Sequence, residues 1–336
     1  MRGTISRLHR ITAAAGIDPF IAGILLMVLL AYFVPQPGLI TEPVSLADLA
    51  NYGVAGIFFF YGLKLNIHQL RAGLANWKLH ALVQTTTFLL FPLIAVAIKP
   101  FFVSNTDVAL WTGIFYLCAL PSTVSSSVVM VSIAGGNMPA AIFNASISSL
   151  IGIFMTPFWL KLFISSGTAQ LHTTTIIGKL FIQVLIPVLL GMALNGKWGA
   201  FAHRNKKKLK NFDQAIILII IYTSFCHSFS LGIFNDISWL TLSLLTLYML
   251  VLFVAVISLI RLIARLLRFS TADSITAMFC GSKKSLVHGT VMSRILFAGS
   301  ASTGIILLPL MLYHALQLIA ASIIARRMAA TQINPE

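Results

Sequence analysis

From residue 19 to residue 325 the chain alternates between long apolar blocks and short polar or basic joints. The blocks fall at about 19–35, 46–65, 77–99, 108–134, 137–165, 171–196, 211–233, 237–266, 273–297 and 300–325. Each is near the ~20 residues an α-helix needs to cross a bilayer. The pattern therefore predicts an all-α polytopic membrane protein with ten transmembrane helices. Residues 19–325 read as one transmembrane domain, 1–18 as a cytoplasmic lead without a small-residue cleavage site, and 326–336 as a short cytoplasmic tail. Two blocks are irregular. The fourth contains Leu120-Pro121-Ser122-Thr123-Val124-Ser125-Ser126-Ser127, and the ninth contains Cys280-Gly281-Ser282-Lys283-Lys284-Ser285-Leu286-Val287-His288-Gly289.

Composition excludes a water-soluble fold: 58% of the 336 residues are hydrophobic and 9% charged, against roughly 25% charged in soluble domains. A net charge of +15 would suit nucleic acid, but the placement argues for topology instead. The dense run Arg204, Lys206, Lys207, Lys208 and Lys210 reads as a cytoplasmic joint beside anionic lipid, and no nucleic-acid partner is expected. With the N-terminus inside, seventeen of the 23 basic residues fall inside, only Lys99, Lys161 and Arg294 fall outside, and Lys179, Lys283 and Lys284 lie within spans. That asymmetry predicts both termini in the cytoplasm of a cytoplasmic (inner or plasma) membrane, with Lys206 to Lys210 on their side. Five spans followed by five enter from opposite sides, which permits an inverted repeat of about 19–165 and 171–325. The halves share no residue-level similarity, so the repeat rests on order and charge. Cys118, Cys226 and Cys280 are odd in number and scattered through apolar blocks, indicating neither a disulfide framework nor a zinc site.

The irregular blocks carry the candidate chemistry. Proline removes a backbone donor, and the hydroxyls of Ser122, Thr123, Ser125, Ser126 and Ser127 can serve freed backbone groups. The spacing predicts helix breaks within 121–127 and 280–286 that lie together, no more than about 15 Å apart, at mid-membrane. Lysine at the bilayer centre costs roughly 2.5–3.5 kcal/mol on insertion scales, so Lys283 and Lys284 need acceptors in Ser126, Ser127, Asn144 or an unwound carbonyl. If that segment is helical, the two lysines lie about 100° apart. All eight carboxylates fall at loops or helix ends. A mid-membrane cation neutralised by a carboxylate is therefore not available, and the lysines suit an organic anion or proton coupling. Gln84 and Thr87 in the third span, Asn144 and Ser148 four apart in the fifth, and His288 complete the candidate set. His227, His314 and Gln317 read as packing groups.

Signatures of metalloproteases, nucleotide-binding loops and paired acidic metal motifs are lacking. Ser285 and His288 allow an intramembrane hydrolase dyad to be imagined, but without a nucleophile-elbow context. The expectation is that the chain is not an enzyme.

Four stretches resemble the bile acid:sodium symporter superfamily, in its divergent vertebrate P7-type and bacterial branch. They are Phe58-Phe59-Phe60-Tyr61-Gly62-Leu63-Lys64-Leu65, Leu120-Pro121-Ser122-Thr123 with the later serines, Ala134-Gly135-Gly136-Asn137, and Cys280 through Leu286. The resemblance covers about 10–325 and implies ten helices in a core and a panel domain, with the fourth and ninth broken and crossing. It also implies sodium near Ser126, Ser127 and a fifth-helix side chain such as Asn144 or Ser148, and a second sodium near Gln84 or Thr87. This chain departs in the ninth helix, where coupled members carry an acidic residue followed by glutamine and asparagine. Here stand Cys280, Lys284 and Ser285.

The reading is thus a secondary transporter of a small organic anion by alternating access. Proton coupling through Lys283 or Lys284 is the first expectation, with Lys284→Ala removing the pH response, and sodium symport is the family default. No cofactor beyond such a coupling ion is expected. A regulator of ion homeostasis without its own transport, acting through a partner, is the alternative.

Overall fold

A computed structural model defines residues 19–40, 42, 45–65, 76–102, 104–164, 178, 181–232, 234, 235, 237–298 and 300–333. Among these every regular element is helical. Helix α1 (Pro19–Phe33) precedes α2 (Leu46–Lys64), whose first turn is fixed by a capping box between Ser45 and Asp48. Helix α3 (Trp77–Thr85) passes through a π-helical turn, Thr86–Leu90, into α4 (Phe91–Ala97). A second capping box, Ser104 with Asp107, opens α5 (Asn105–Ala119), which is followed by α6 (Ser125–Ile133) and α7 (Met138–Ile164). Another π turn, Phe181–Leu185, leads into α8 (Ile186–Arg204), and α9 (Lys206–Ser230) follows. Helices α10 (Trp239–Leu266), α11 (Thr271–Gly281) and α12 (Leu286–Leu296) each begin on a serine N-cap. Helix α13 (Thr303–Ile333) closes the chain.

Seven helices among the described residues are long and apolar enough to cross a membrane, and α1 and Asp107–Ala119 are shorter apolar helices. The fourth and ninth predicted spans are missing from the seven because each is two half-helices, α5 with α6 and α11 with α12.

Some predicted boundaries are corrected. The sixth block runs on to Arg204, so only Asn205 separates it from α9, and Lys206 to Lys210 are helical instead of forming a loop. Lysine is a good helix former, and a helix longer than the apolar slab carries its charged end into water. Likewise α13 continues through residue 333, turning most of the expected tail into helix, because Ala325 to Ala330 are nearly all strong helix formers. The lead 1–18, most of 171–180 and Lys179 lie outside the described residues.

Helices α1, α2, α8 and α9 pack on one another as one group, and α3 to α7 with α10 to α13 form the other. The seam between α2 and α8 shows why glycine stands where it does. A Cβ on Gly62 would sit 2.1 Å from Val188 O, and one on Gly191 would sit 2.2 Å from Phe59 O. Helices in lipid associate by such close backbone approach at small residues. Gly191→Ala should therefore lower stability by about 3 kcal/mol, the upper range for forcing a methyl group into a packed seam. Gly196→Ala, inside the same helix but meeting nothing within 4 Å, should hold or slightly raise the detergent unfolding midpoint. Equal midpoints for both variants would contradict the packing argument.

Candidate ion and substrate site

Helix α5 stops because Pro121 has no N–H to donate and forces Leu120 into extended backbone, φ −73° and ψ 154°. The unwound stretch starts one residue earlier and ends sooner than predicted: it covers 120–124, and Ser125, Ser126 and Ser127 form the first turn of α6. Serine is well placed there, where backbone N–H groups have no helical partner in any case. The last carbonyls of α5 are then served one by one. Leu117 O accepts from Leu120 N, and Ala119 O from the Thr156 hydroxyl at 2.8 Å. Cys118 O and Leu120 O accept from the Lys284 ammonium at 2.7 and 2.8 Å, and Pro121 O from Ser285 N at 3.0 Å.

The second break spans Ser282 to Ser285 and uses the first in return. Cys280 O and Phe279 O, at the end of α11, accept from the hydroxyls of Ser122 (2.6 Å) and Ser127 (3.0 Å). Ser282 O accepts from Tyr313 OH at 2.6 Å. The Gln317 amide clamps Lys284 from both sides, accepting from its N at 2.9 Å and donating to its O at 2.8 Å. Ser285 caps α12, accepting from His288 N, while its hydroxyl lies 2.9 Å from His288 Nδ1. The 3.0 Å bond from Ser285 N to Pro121 O shows that the breaks touch. Neither lysine is helical, so the predicted 100° separation does not apply.

The third acceptor of Lys284 comes from the π turn. Phe91 N donates five residues back, to Thr86 O. In that register the next residue, Pro92, would serve Thr87 O, and in the α register it would serve Phe88 O; proline serves neither. Thr87 O therefore takes the Lys284 ammonium at 2.8 Å, and Phe88 O takes the Trp159 indole N–H at 2.8 Å. Three carbonyls thus meet the three hydrogens of Lys284, with the Phe91 ring centroid 4.2 Å from its nitrogen. Lys283 differs. Its nitrogen donates to Ser126 O at 2.9 Å and lies 5.8 Å from the Phe279 ring, with no other acceptor among the described residues. Both side chains are fully buried.

The structure thus brings together Ser122, Ser127, Ser148, Lys283, Lys284, Ser285 and the carbonyls of Thr87 and Ser126, Ser148 through its 2.9 Å bond from Ser122 N. The Thr123 hydroxyl accepts from Ser126 at 3.3 Å. Gln84 bonds Asn144 instead, at 3.2 Å to its backbone oxygen and 3.3 Å to its side chain. Ser125 is exposed. Among the described residues no group of three His, Cys, Asp or Glu could hold a metal. Sequence reasoning missed Thr156, Tyr313 and the clamping role of Gln317. It also missed Asp273, which accepts from Asn76 and Asn137 at 2.8 Å each and ties the starts of α3, α7 and α11 together. A buried amide in the last span was the available signal for Gln317; the aromatic and threonine hydroxyls gave none.

Residues 18–330 match the SBF-like CPA transporter family. The chain belongs to this family. Membership makes it an integral membrane protein of a transporter family, as its apolar helices require. It is 40% identical over 312 residues to an uncharacterized Pseudomonas aeruginosa protein, covering 93% of each chain. It is 39% identical to the Escherichia coli protein YfeH, covering 93% of this chain and 92% of that one. Sodium/bile acid cotransporter 7 of Danio rerio is 33% identical, with 91% of each chain covered.

Proposed function

We propose that this chain is a secondary transporter of a small organic anion, working by alternating access in the cytoplasmic membrane and coupled to protons instead of sodium. In this reading α5 with α6, and α11 with α12, each complete one crossing, giving ten crossings with both termini cytoplasmic and two inverted halves of five. The observation that carries it is the unequal pair of buried lysines at the crossing. Lys284 is saturated by Thr87 O, Cys118 O and Leu120 O. Lys283, itself fully buried, keeps two donors beyond its bond to Ser126 O, and Ser126 is half-buried. An anionic group bound there would meet charge-assisted donors and the nearby hydroxyl of Thr123. The proton-linked role thus falls to Lys283, in place of Lys284.

The residues present do not fit a resident sodium. The convergent carbonyls already face an ammonium, no carboxylate lies among them, and a second cation beside two lysines would be repelled. A relative named for sodium and bile acid sets the contrary expectation, so the test compares the two. In proteoliposomes, a panel of carboxylates and sulfonates is presented under a sodium gradient or a proton gradient. Since only the ammonium form of Lys283 offers an anion charge-assisted donors, anion binding should tighten as pH falls and weaken as it rises. Uptake that runs only on sodium would sink the proposal.

A further inference from the structure

We propose that a second anion site, separate from the crossover, lies between the end of α10, the start of α11 and the end of α13, and takes a phosphate group. A cavity of about 360 Å³ opens there, within the usual range for small-ligand sites. Its cationic wall is Arg261 and Arg265, one helical turn apart and so on one face of α10. Thr271 and Ser274 add hydroxyls from the first turns of α11, whose dipole also favours an anion at that end. Beneath them Ile275 and Met278, with Phe269 and Met328, give an apolar floor.

The charge in this cavity is unopposed. The carboxylate closest in sequence is Asp273, and its position settles its role. Thr271, Ser274, Ile275 and Met278 share one face of α11, whereas Asp273 sits about 150° round and is engaged by Asn76 and Asn137 at 2.8 Å. Neither arginine forms a salt bridge among the described residues, where the only ion pair is Lys64 with Asp213. Two guanidinium forks, two hydroxyls and helix-terminal N–H groups match a tetrahedral oxyanion better than a planar carboxylate. Arg261 and Arg265 also alternate with Leu262 and Leu266, which are 53% and 73% exposed on the same helix. The opening therefore lies at the lipid-facing rim, where a phospholipid headgroup would present its phosphate with acyl chains against leucine. Free phosphate in water shares that chemistry.

The test uses the purified full-length chain in a neutral detergent. Its thermal midpoint is followed with added phosphatidylglycerol, with phosphatidylcholine, and with inorganic phosphate against chloride at equal ionic strength. Phosphatidylglycerol is expected to raise the midpoint of wild type. In the Arg261→Gln/Arg265→Gln variant the apparent affinity should fall by about tenfold or more for each arginine removed. Lys99→Gln/Lys161→Gln, which removes the same charge elsewhere, should keep the full shift. A shift from inorganic phosphate alone assigns the site to the free anion. Ser274→Leu fills the cavity without altering charge and should lose the shift too, so the inference stays testable if the double arginine variant does not fold. No shift with either phosphate source, or a shift retained in both cavity variants, would overturn it.

Discussion

Lys284→Ala should be the most damaging single substitution in this chain, lowering stability by about 4 kcal/mol, because it leaves three buried carbonyls without a donor. Thr87 O, Cys118 O and Leu120 O all bond this one nitrogen, and each belongs to backbone that cannot turn away. Lys284→Met keeps most of the volume yet should be nearly as harmful, which separates lost hydrogen bonds from lost packing. The same geometry yields a second readout. Three carbonyl oxygens around an emptied ammonium position form a small cation cradle, so ammonium in the buffer should raise the midpoint of Lys284→Ala while leaving wild type unmoved. A midpoint for Lys284→Ala within a degree or two of wild type would show that the lysine is no lock.

Its neighbour should behave in the opposite way. Lys283→Met is expected to fold, since only Ser126 O loses a donor, and in the first turn of α6 that carbonyl is also reached by the N–H four residues on. Transport should nevertheless fall by about a hundredfold, the worth of one or two charge-assisted hydrogen bonds to a bound anion. Lys283→Arg keeps a cation and should retain part of the activity, with its pH dependence displaced. Proteoliposome uptake beside a thermal-unfolding curve reads both effects at once. Wild-type uptake by Lys283→Met would remove the reason for placing the anion at this nitrogen.

The breaks were legible because proline and buried lysine are loud signals: each violates a rule that a plain membrane helix obeys, and both violations coincide with real unwinding at 120–124 and 282–285. The acceptors of the lysines were not legible. Backbone carbonyls look alike in any sequence, and which of them are orphaned depends on how three separate helices end or bulge. The π turn at Thr86–Leu90 illustrates this. Its only trace is Pro92 five residues after Thr87, and proline alone cannot distinguish a π turn from a simple kink. Helix ends at Arg204 and Ile333 were missed for a different reason. Hydropathy finds where the lipid stops, whereas a helix stops where its propensity and its caps say so. The pairing of Gln84 with Asn144 followed neither from spacing nor from the family resemblance.

The way the two breaks serve each other's carbonyls has a mechanical result. Bonds from the π turn, α5, α6 and α13 converge on the four residues between α11 and α12, and Thr156 of α7 bonds Ala119 O at the end of α5, so these elements are riveted into one stiff block. The glycine seam does the same for α2 and α8. Between the two blocks the joinery is sparse. Tyr61 OH donates to Ser146 O at 3.0 Å, Ser228 donates to Ala301 O at 2.6 Å and accepts from Gly304 N at 3.0 Å, and Arg294 donates to Ala47 O and Asn51 at 3.2 and 3.3 Å. Phe58 and Tyr61 lie edge-on against His288, with centroids 5.8 and 5.6 Å apart, and α9 packs on α12 and α13. Edge-on rings and a few bonds to carbonyls slip at little cost, whereas bending either block would tear buried hydrogen bonds. The buried hydrogen bonds of the molecule are thus concentrated within the two blocks, and the plane between them is held mainly by apolar contact.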